Sequence, residues 1–155
     1  MNITKYIEKS LDYIGYTGPI ITFAITSVYL LFISKYVYLI FFCGGFWINI
    51  LLNHELKNWI REPRPNKPIP YIDNSFEGAH IYGMPSGHAQ MCLYNIGFLF
   101  FVSSNNWILA ISILISILTL FQRWKFRRHT IKQLCVGSLI GFGLSFAVYY
   151  LLLNF

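Results

Sequence analysis

The apolar residues of this chain come in long unbroken runs, and that feature excludes most folds. A helix on the surface of a soluble domain alternates its apolar and charged faces every three or four residues. Residues 18–34, 36–53, 86–102, 107–121 and 131–153 do not alternate in this way. They suit helices whose solvent is lipid. At about 1.5 Å per residue the first run makes a helix about 26 Å long, close to the thickness of a hydrocarbon core. Charged residues make up 12% of the sequence, against about 25% in soluble domains. The 155 residues fit one domain. The expected fold is an all-α integral membrane helical bundle with about five spanning helices.

Residues 1–17 differ from the rest. Lys5, Glu8, Lys9 and Asp12 make this stretch too charged for a cleavable signal peptide. Ile3, Ile7, Leu11 and Ile14 recur at spacings of three and four, which predicts an N-terminal amphipathic helix lying on the membrane surface. The net charge of +6 is confined to short stretches between apolar runs. That distribution fits membrane topology and an anionic ligand, and argues against nucleic acid as a partner. Cys43, Cys92 and Cys135 all fall within apolar runs, with neither metal-ligand spacing nor an even count for disulfides.

The longest polar segment is 54–85, which holds five of the six prolines. A loop of this length is usually functional or disordered. Residues 103–106 read as a tight turn, and "RWKFRRH" (123–129) separates the last two runs. Five spans place the N-terminus, the long loop and 123–129 at the same membrane face. Eleven of the twelve basic residues and all six acidic ones lie there, with only Lys35 opposite. The two chemically rich segments must therefore face each other.

Three groups of residues converge by this topology. "KNWIREPRP" carries Lys57 and Arg64, "PSGH" carries Ser86, Gly87 and His88, and "RWKFRRHTIKQ" carries Arg123, His129 and Gln133. Arginines present planar forks to phosphate oxygens, and a lysine adds a point charge. Ser86 and Gly87 open a helix, where free N–H groups favour an anion, and Gly87 permits close backbone approach. Two histidines can divide the work of phosphoryl transfer, one attacking phosphorus and the other protonating the leaving oxygen. Lys57 and the arginines also fit a plain positive-inside bias.

The ordered spacing, Lys with Arg-Pro, then Pro-Ser-Gly-His, then Arg with His, resembles the type-2 phosphatidic acid phosphatase (PAP2) superfamily over roughly 57–133. The resemblance implies a PAP2/haloperoxidase-like core. It implies His129 as nucleophile and His88 as general acid, with Lys57, Arg64, Ser86, Gly87 and Arg123 holding the phosphate. It implies no metal and no cofactor. Two positions depart from the broad pattern: Gln122 stands where Ser is common, and Gln133 where Asp is usual. An aspartate there would accept from the nucleophile's second ring nitrogen; Gln133 is expected to do so through its carbonyl oxygen.

"EPRP", "YGMPSGHAQ" and "HTIKQ" look like the dolichyldiphosphatase branch, which carries that glutamine, although its second motif more often reads Ser-Ser-His. This implies a polyprenyl diphosphate substrate that loses its terminal phosphate to water. Alternatives are a phosphatase for phosphatidate or another lipid monophosphate, or a non-catalytic lipid-phosphate binder. The basic bias predicts the site on the cytoplasmic face; the dolichyl resemblance implies the lumenal face of an endoplasmic-reticulum-type membrane. Oligomeric state is not encoded in any of these patterns.

His54-Glu55 begins like a zinc-protease motif, but Asn58 stands where the second histidine belongs. His80 reads as an ordinary loop histidine, with contact to the head group as the alternative. "GSLIG" (137–141) is a small-xxx-small pattern, expected to pack against another helix of the same chain.

Overall fold

The computed structural model describes residues 3–72 and 76–155. Five α-helices follow in order: α1 (Ile3–Phe32), α2 (Tyr36–Ile60), α3 (Gly87–Val102), α4 (Asn106–Lys125) and α5 (Ile131–Leu153), with a 3-10 turn at Gly78–Ile81 before α3. Among the described residues there is no strand, only an isolated bridge between Pro63 and Tyr82. By length and composition α1, α2, α4 and α5 can each cross a membrane. At 16 residues α3 is shorter, about 24 Å. It is the central helix, packed most extensively on α5 and also touching α1, α2 and α4.

The polarity of a soluble protein is inverted. Ile20, Ile40, Trp47 and Leu139 are exposed, whereas Asn49, Asn53, Gln90 and Asn95 are buried. Lipid tails accept the former; the latter need hydrogen bonds from neighbouring helices. Asn53 Nδ2 donates to Gln90 Oε1 at 2.7 Å, and Gln90 Nε2 donates to Asn49 Oδ1 at 2.8 Å, joining α2 to α3. Asn95 Nδ2 donates to Thr22 Oγ1 at 2.9 Å and to the Pro19 carbonyl at 3.1 Å, joining α3 to α1. Away from the polar loops, Leu30, Phe42, Tyr94, Phe98, Val148 and Leu152 form an apolar plug.

The small-xxx-small pattern of α5 meets α3 within the chain, as expected. A Cβ on Gly137 would lie 2.5 Å from the Ser86 carbonyl oxygen, and one on Gly141 would strike the Gln90 carbonyl. These glycines bring α5 against the first turn of α3.

Two helix boundaries differ most from the sequence expectation, while α4 also runs four residues further than expected, to Lys125, and so carries Arg123. Residues 1–17 are predicted as a separate surface helix, but from Ile3 onward the stretch is continuous with the first span in α1. Contacts to α4 hold it there. A Cβ on Gly15 would sit 2.7 Å from the Leu118 carbonyl oxygen, and Lys125 Nζ lies 2.7 Å from Glu8 Oε1 and 2.8 Å from Asp12 Oδ2. The charges that mark the stretch as interfacial are thus engaged by a neighbouring helix. Likewise α2 continues past residue 53 to Ile60, because no proline intervenes before Pro63. Lys57 therefore rides on a helix and not on the loop.

Candidate active site

At the loop end of the bundle, five segments bring their polar residues around a cavity of about 430 Å³. The last turn of α2 supplies Lys57, and the loop after it Arg64. The first turn of α3 supplies Gly87 and His88. The last turn of α4 supplies Arg123, and the α4–α5 link His129. The predicted face-to-face meeting of the two rich segments is direct: Ile69 N donates to the Phe126 carbonyl at 3.0 Å, and Arg64 Nη1 to the Arg128 carbonyl at 2.9 Å. Among the described residues lining the cavity, none is acidic.

His129 is 3% exposed, and its ring is fixed at both nitrogens. Nδ1 lies 2.9 Å from the Gly83 carbonyl oxygen, which can only accept, so Nδ1 carries the proton. Nε2 then bears a lone pair, 3.3 Å from Arg64 Nη1. Burial holds the imidazole well below the usual histidine range, and the charges of Arg64, Lys57, Arg123 and His88 push the same way. A neutral ring with an in-plane lone pair beside permanent cations can attack an electrophilic phosphorus.

That depression has a consequence for stability. The unfolded chain binds a proton at His129 below about pH 6.5 and the folded chain refuses it, so stability is full above that pH and is lost as pH falls toward the depressed folded value. His80 is shifted the same way, first by burial and then by Lys57, Arg64 and His54. Glu62 is held low chiefly by its hydrogen bond from Lys132, so its contribution is lost only below the ordinary carboxylate range, about 4.5. We expect the melting temperature in detergent to fall between pH 7 and pH 5, and the His129→Gln variant to show a shallower fall in that window.

The cations are braced by backbone carbonyls. Arg64 Nε and Nη2 both donate to the His80 carbonyl, at 2.9 and 2.8 Å, while its guanidinium carbon sits 4.2 Å from the centre of the Phe76 ring. Lys57 is 2% exposed and donates to the Tyr82 carbonyl at 2.9 Å. Arg123 is 2% exposed and lies 3.4 Å from Gln122 Oε1. The glutamine at the unusual position before Arg123 therefore touches it. Lys57, Arg64 and Arg123 converge on one cavity wall, a set that suits a multiply charged anion.

Two expected roles are corrected by the contacts. Ser86 does not face the cavity. It is fully buried as the N-cap of α3: its Oγ accepts from Ala89 N, and its own N–H donates to the Gln133 carbonyl at 3.1 Å. It shapes the helix mouth rather than contacting an anion through its side chain. Gln133 does not bond the His129 ring, whose Nδ1 is taken by Gly83. Gln133 Oε1 accepts from Thr130 N in a capping box, and Nε2 donates to Glu62 Oε1 at 3.0 Å and to the Pro63 carbonyl at 2.8 Å. It ties α5 to the loop that carries Arg64. Gly83 is needed for that arrangement, since a Cβ there would lie 2.6 Å from both amide atoms of Gln133.

Residues outside the three motifs complete the wall. His80, read as an ordinary loop histidine, lines the cavity and offers its carbonyl to Arg64. Asn53 lies beside Gly87 and donates to the Pro85 carbonyl at 3.3 Å. Its spacing from Asn49 and Lys57, four residues each way on an apolar helix, marks one buried polar stripe. Tyr16 and Ile20 of α1 form the remaining side, and Ile20 is 71% exposed, so the cavity reaches the lipid-facing surface there.

A sequence profile of the PAP2 superfamily matches residues 36–155. The chain belongs to the PAP2 superfamily. The profile covers α2 to α5 and hence every motif residue of the cavity, but not α1. The PAP2 fold is also seen in a solved relative, a transmembrane PAP2-type phosphatidylglycerolphosphate phosphatase from Bacillus subtilis, with 20% identity and a TM-score of 0.58 over 94% of this chain and 86% of that one. No curated protein sequence matches the chain. Family, fold and four apolar helices together make this chain a multi-pass membrane protein of the PAP2 superfamily.

Proposed function

We propose that the chain hydrolyses the terminal phosphate of a polyprenyl, dolichyl-type diphosphate through a phosphohistidine on His129. The observation that carries this is the state of that ring: Nδ1–H on the Gly83 carbonyl, and the Nε2 lone pair beside Arg64 at the cavity. The substrate's tail stays in the bilayer on the Ile20 side, and its head group enters among Lys57, Arg64 and Arg123, with the N-terminal mouth of α3 beneath it. Nε2 attacks the terminal phosphorus, the bond to the bridging oxygen breaks, and His88 delivers its proton to that oxygen. Water then attacks the phosphohistidine and gives its proton to His88. The N–P bond breaks, inorganic phosphate leaves, and His129 is neutral again. The arginines and Lys57 supply the positive charge, so no metal is required. The motif likeness that points to the dolichyl-type lipid also points to an endoplasmic-reticulum-type membrane.

The Gly83 carbonyl takes the place of the usual carboxylate behind the nucleophile. It steadies the ring's proton while the imidazole carries positive charge, yet adds no formal charge of its own. A second reading is a lipid monophosphatase. It is favoured by the fold shared with the Bacillus phosphatase, whose named substrate is phosphatidylglycerolphosphate.

Phosphate release by purified protein in detergent, with and without EDTA, separates the two. We expect polyprenyl diphosphate to be cleaved with kcat/KM at least about tenfold above phosphatidate or phosphatidylglycerolphosphate, a difference of about 1.4 kcal/mol in transition-state stabilisation. EDTA should leave the rate unchanged. Equal or reversed preference would overturn the diphosphate assignment.

A further inference from the structure

The cavity wall opposite the motifs comes from α1, which lies outside the superfamily match, and one of its side chains touches two of the polar groups at once. The Tyr16 ring lies 5.8 Å from the His88 imidazole, centroid to centroid and inclined by 42°, and 5.6 Å from the Arg123 guanidinium carbon. Behind it stands an aromatic wall: Tyr71 at 5.5 Å from Tyr16, and Phe126 at 4.7 Å from Tyr71. The backbone beneath is fixed as well, since Gly15 packs against the Leu118 carbonyl and Gln122 of α4. Tyr16 is thus held from behind and from below, with its ring turned to the cavity.

We propose that Tyr16 is a positioning residue for His88, setting the imidazole where it can reach the leaving-group oxygen. This rests on the general-acid role assigned to His88 above. An imidazole at the first turn of a helix has rotamer freedom that must be removed before it can deliver a proton reliably. A tilted aromatic neighbour removes it by packing, and the same ring shields the underside of Arg123 from water, where cation–π attraction operates. The function belongs to the ring face and not to the phenol hydroxyl.

Proton delivery matters most when the leaving oxygen is strongly basic. An alkyl phosphate expels an alkoxide unless it is protonated, whereas 4-nitrophenyl phosphate expels a stable phenolate. Purified full-length variants assayed on both esters therefore read the inference. With general-acid catalysis contributing about 10²–10⁴-fold, Tyr16→Leu should lose at least about tenfold in kcat on the alkyl ester and less than about threefold on the nitrophenyl ester. Tyr16→Phe should restore both. Tyr16→Met, which keeps bulk without a ring, carries the same expectation as Tyr16→Leu if the leucine variant does not fold. His88→Asn on the same pair tests the underlying reading. If His88→Asn is leaving-group dependent and Tyr16→Leu loses equally on both esters, or Tyr16→Phe is as impaired as leucine, the positioning role alone is overturned. If His88→Asn itself falls equally on both, the acid assignment fails and this inference with it.

Discussion

His129→Ala should lower kcat by about 10⁴-fold or more while leaving the protein folded. The His129 ring combines the properties required of the nucleophile. His88 sits in the first turn of α3 against the Tyr16 ring, and His80 offers Arg64 its backbone carbonyl. His129 has one nitrogen locked to a carbonyl and the other beside an arginine. Losing a nucleophile removes the covalent route entirely, and the remaining cations cannot replace it. The variant also frees the Gly83 carbonyl, so a modest loss in melting temperature is expected. Substrate binding should persist, because Lys57, Arg64 and Arg123 remain. A His129→Ala protein that binds lipid phosphate but does not turn it over is the predicted result. Residual activity within tenfold of the parent would remove His129 from the chemistry.

Arg64→Lys should cost about 10²–10³-fold in kcat despite conserving charge. Arg64 makes three backbone contacts with a planar fork: two to His80 and one to Arg128. These stitch the long loop to the α4–α5 link, one residue before the nucleophile. A single ammonium cannot span both carbonyls, so the Arg128 side of the link would be released and His129 with it. Arg64→Lys should therefore lower kcat more than it raises KM. A change confined to KM would mean that Arg64 serves only as a point charge for binding.

The extent to which the sequence foretold these contacts follows from the physics of each residue. The bundle was legible because lipid demands apolar runs, and five runs also settle which loops share a face. Lys57, Arg64, His88, Arg123 and His129 stand out in the sequence as basic residues amid so much apolar chain, and the structure lines one cavity with them and Gly87. Gln133 was located correctly on the helix but misread in its contact. Thr130 to Gln133 is a capping-box spacing, and a side chain that closes the cap has its carbonyl oxygen already engaged. Ser86 is the same lesson at the start of α3. Tyr16 carried no signal at all. In a chain that is 19% aromatic, its placement on α1 could not be distinguished from a lipid-facing ring until the packing of α1 on α4 was known. The continuity of α1 was hidden for a related reason, because Glu8 and Asp12 look interfacial until Lys125 is found opposite them.

The most direct test is rapid quenching of turnover with substrate labelled in its transferable phosphate, followed by separation of the protein and peptide mapping. A histidine phosphoenzyme predicts acid-labile, base-stable label on the peptide containing His129, formed within one turnover, chased by unlabelled substrate and missing from His129→Ala. Full turnover with no label on that peptide, or label that persists when His129 is replaced, would contradict it.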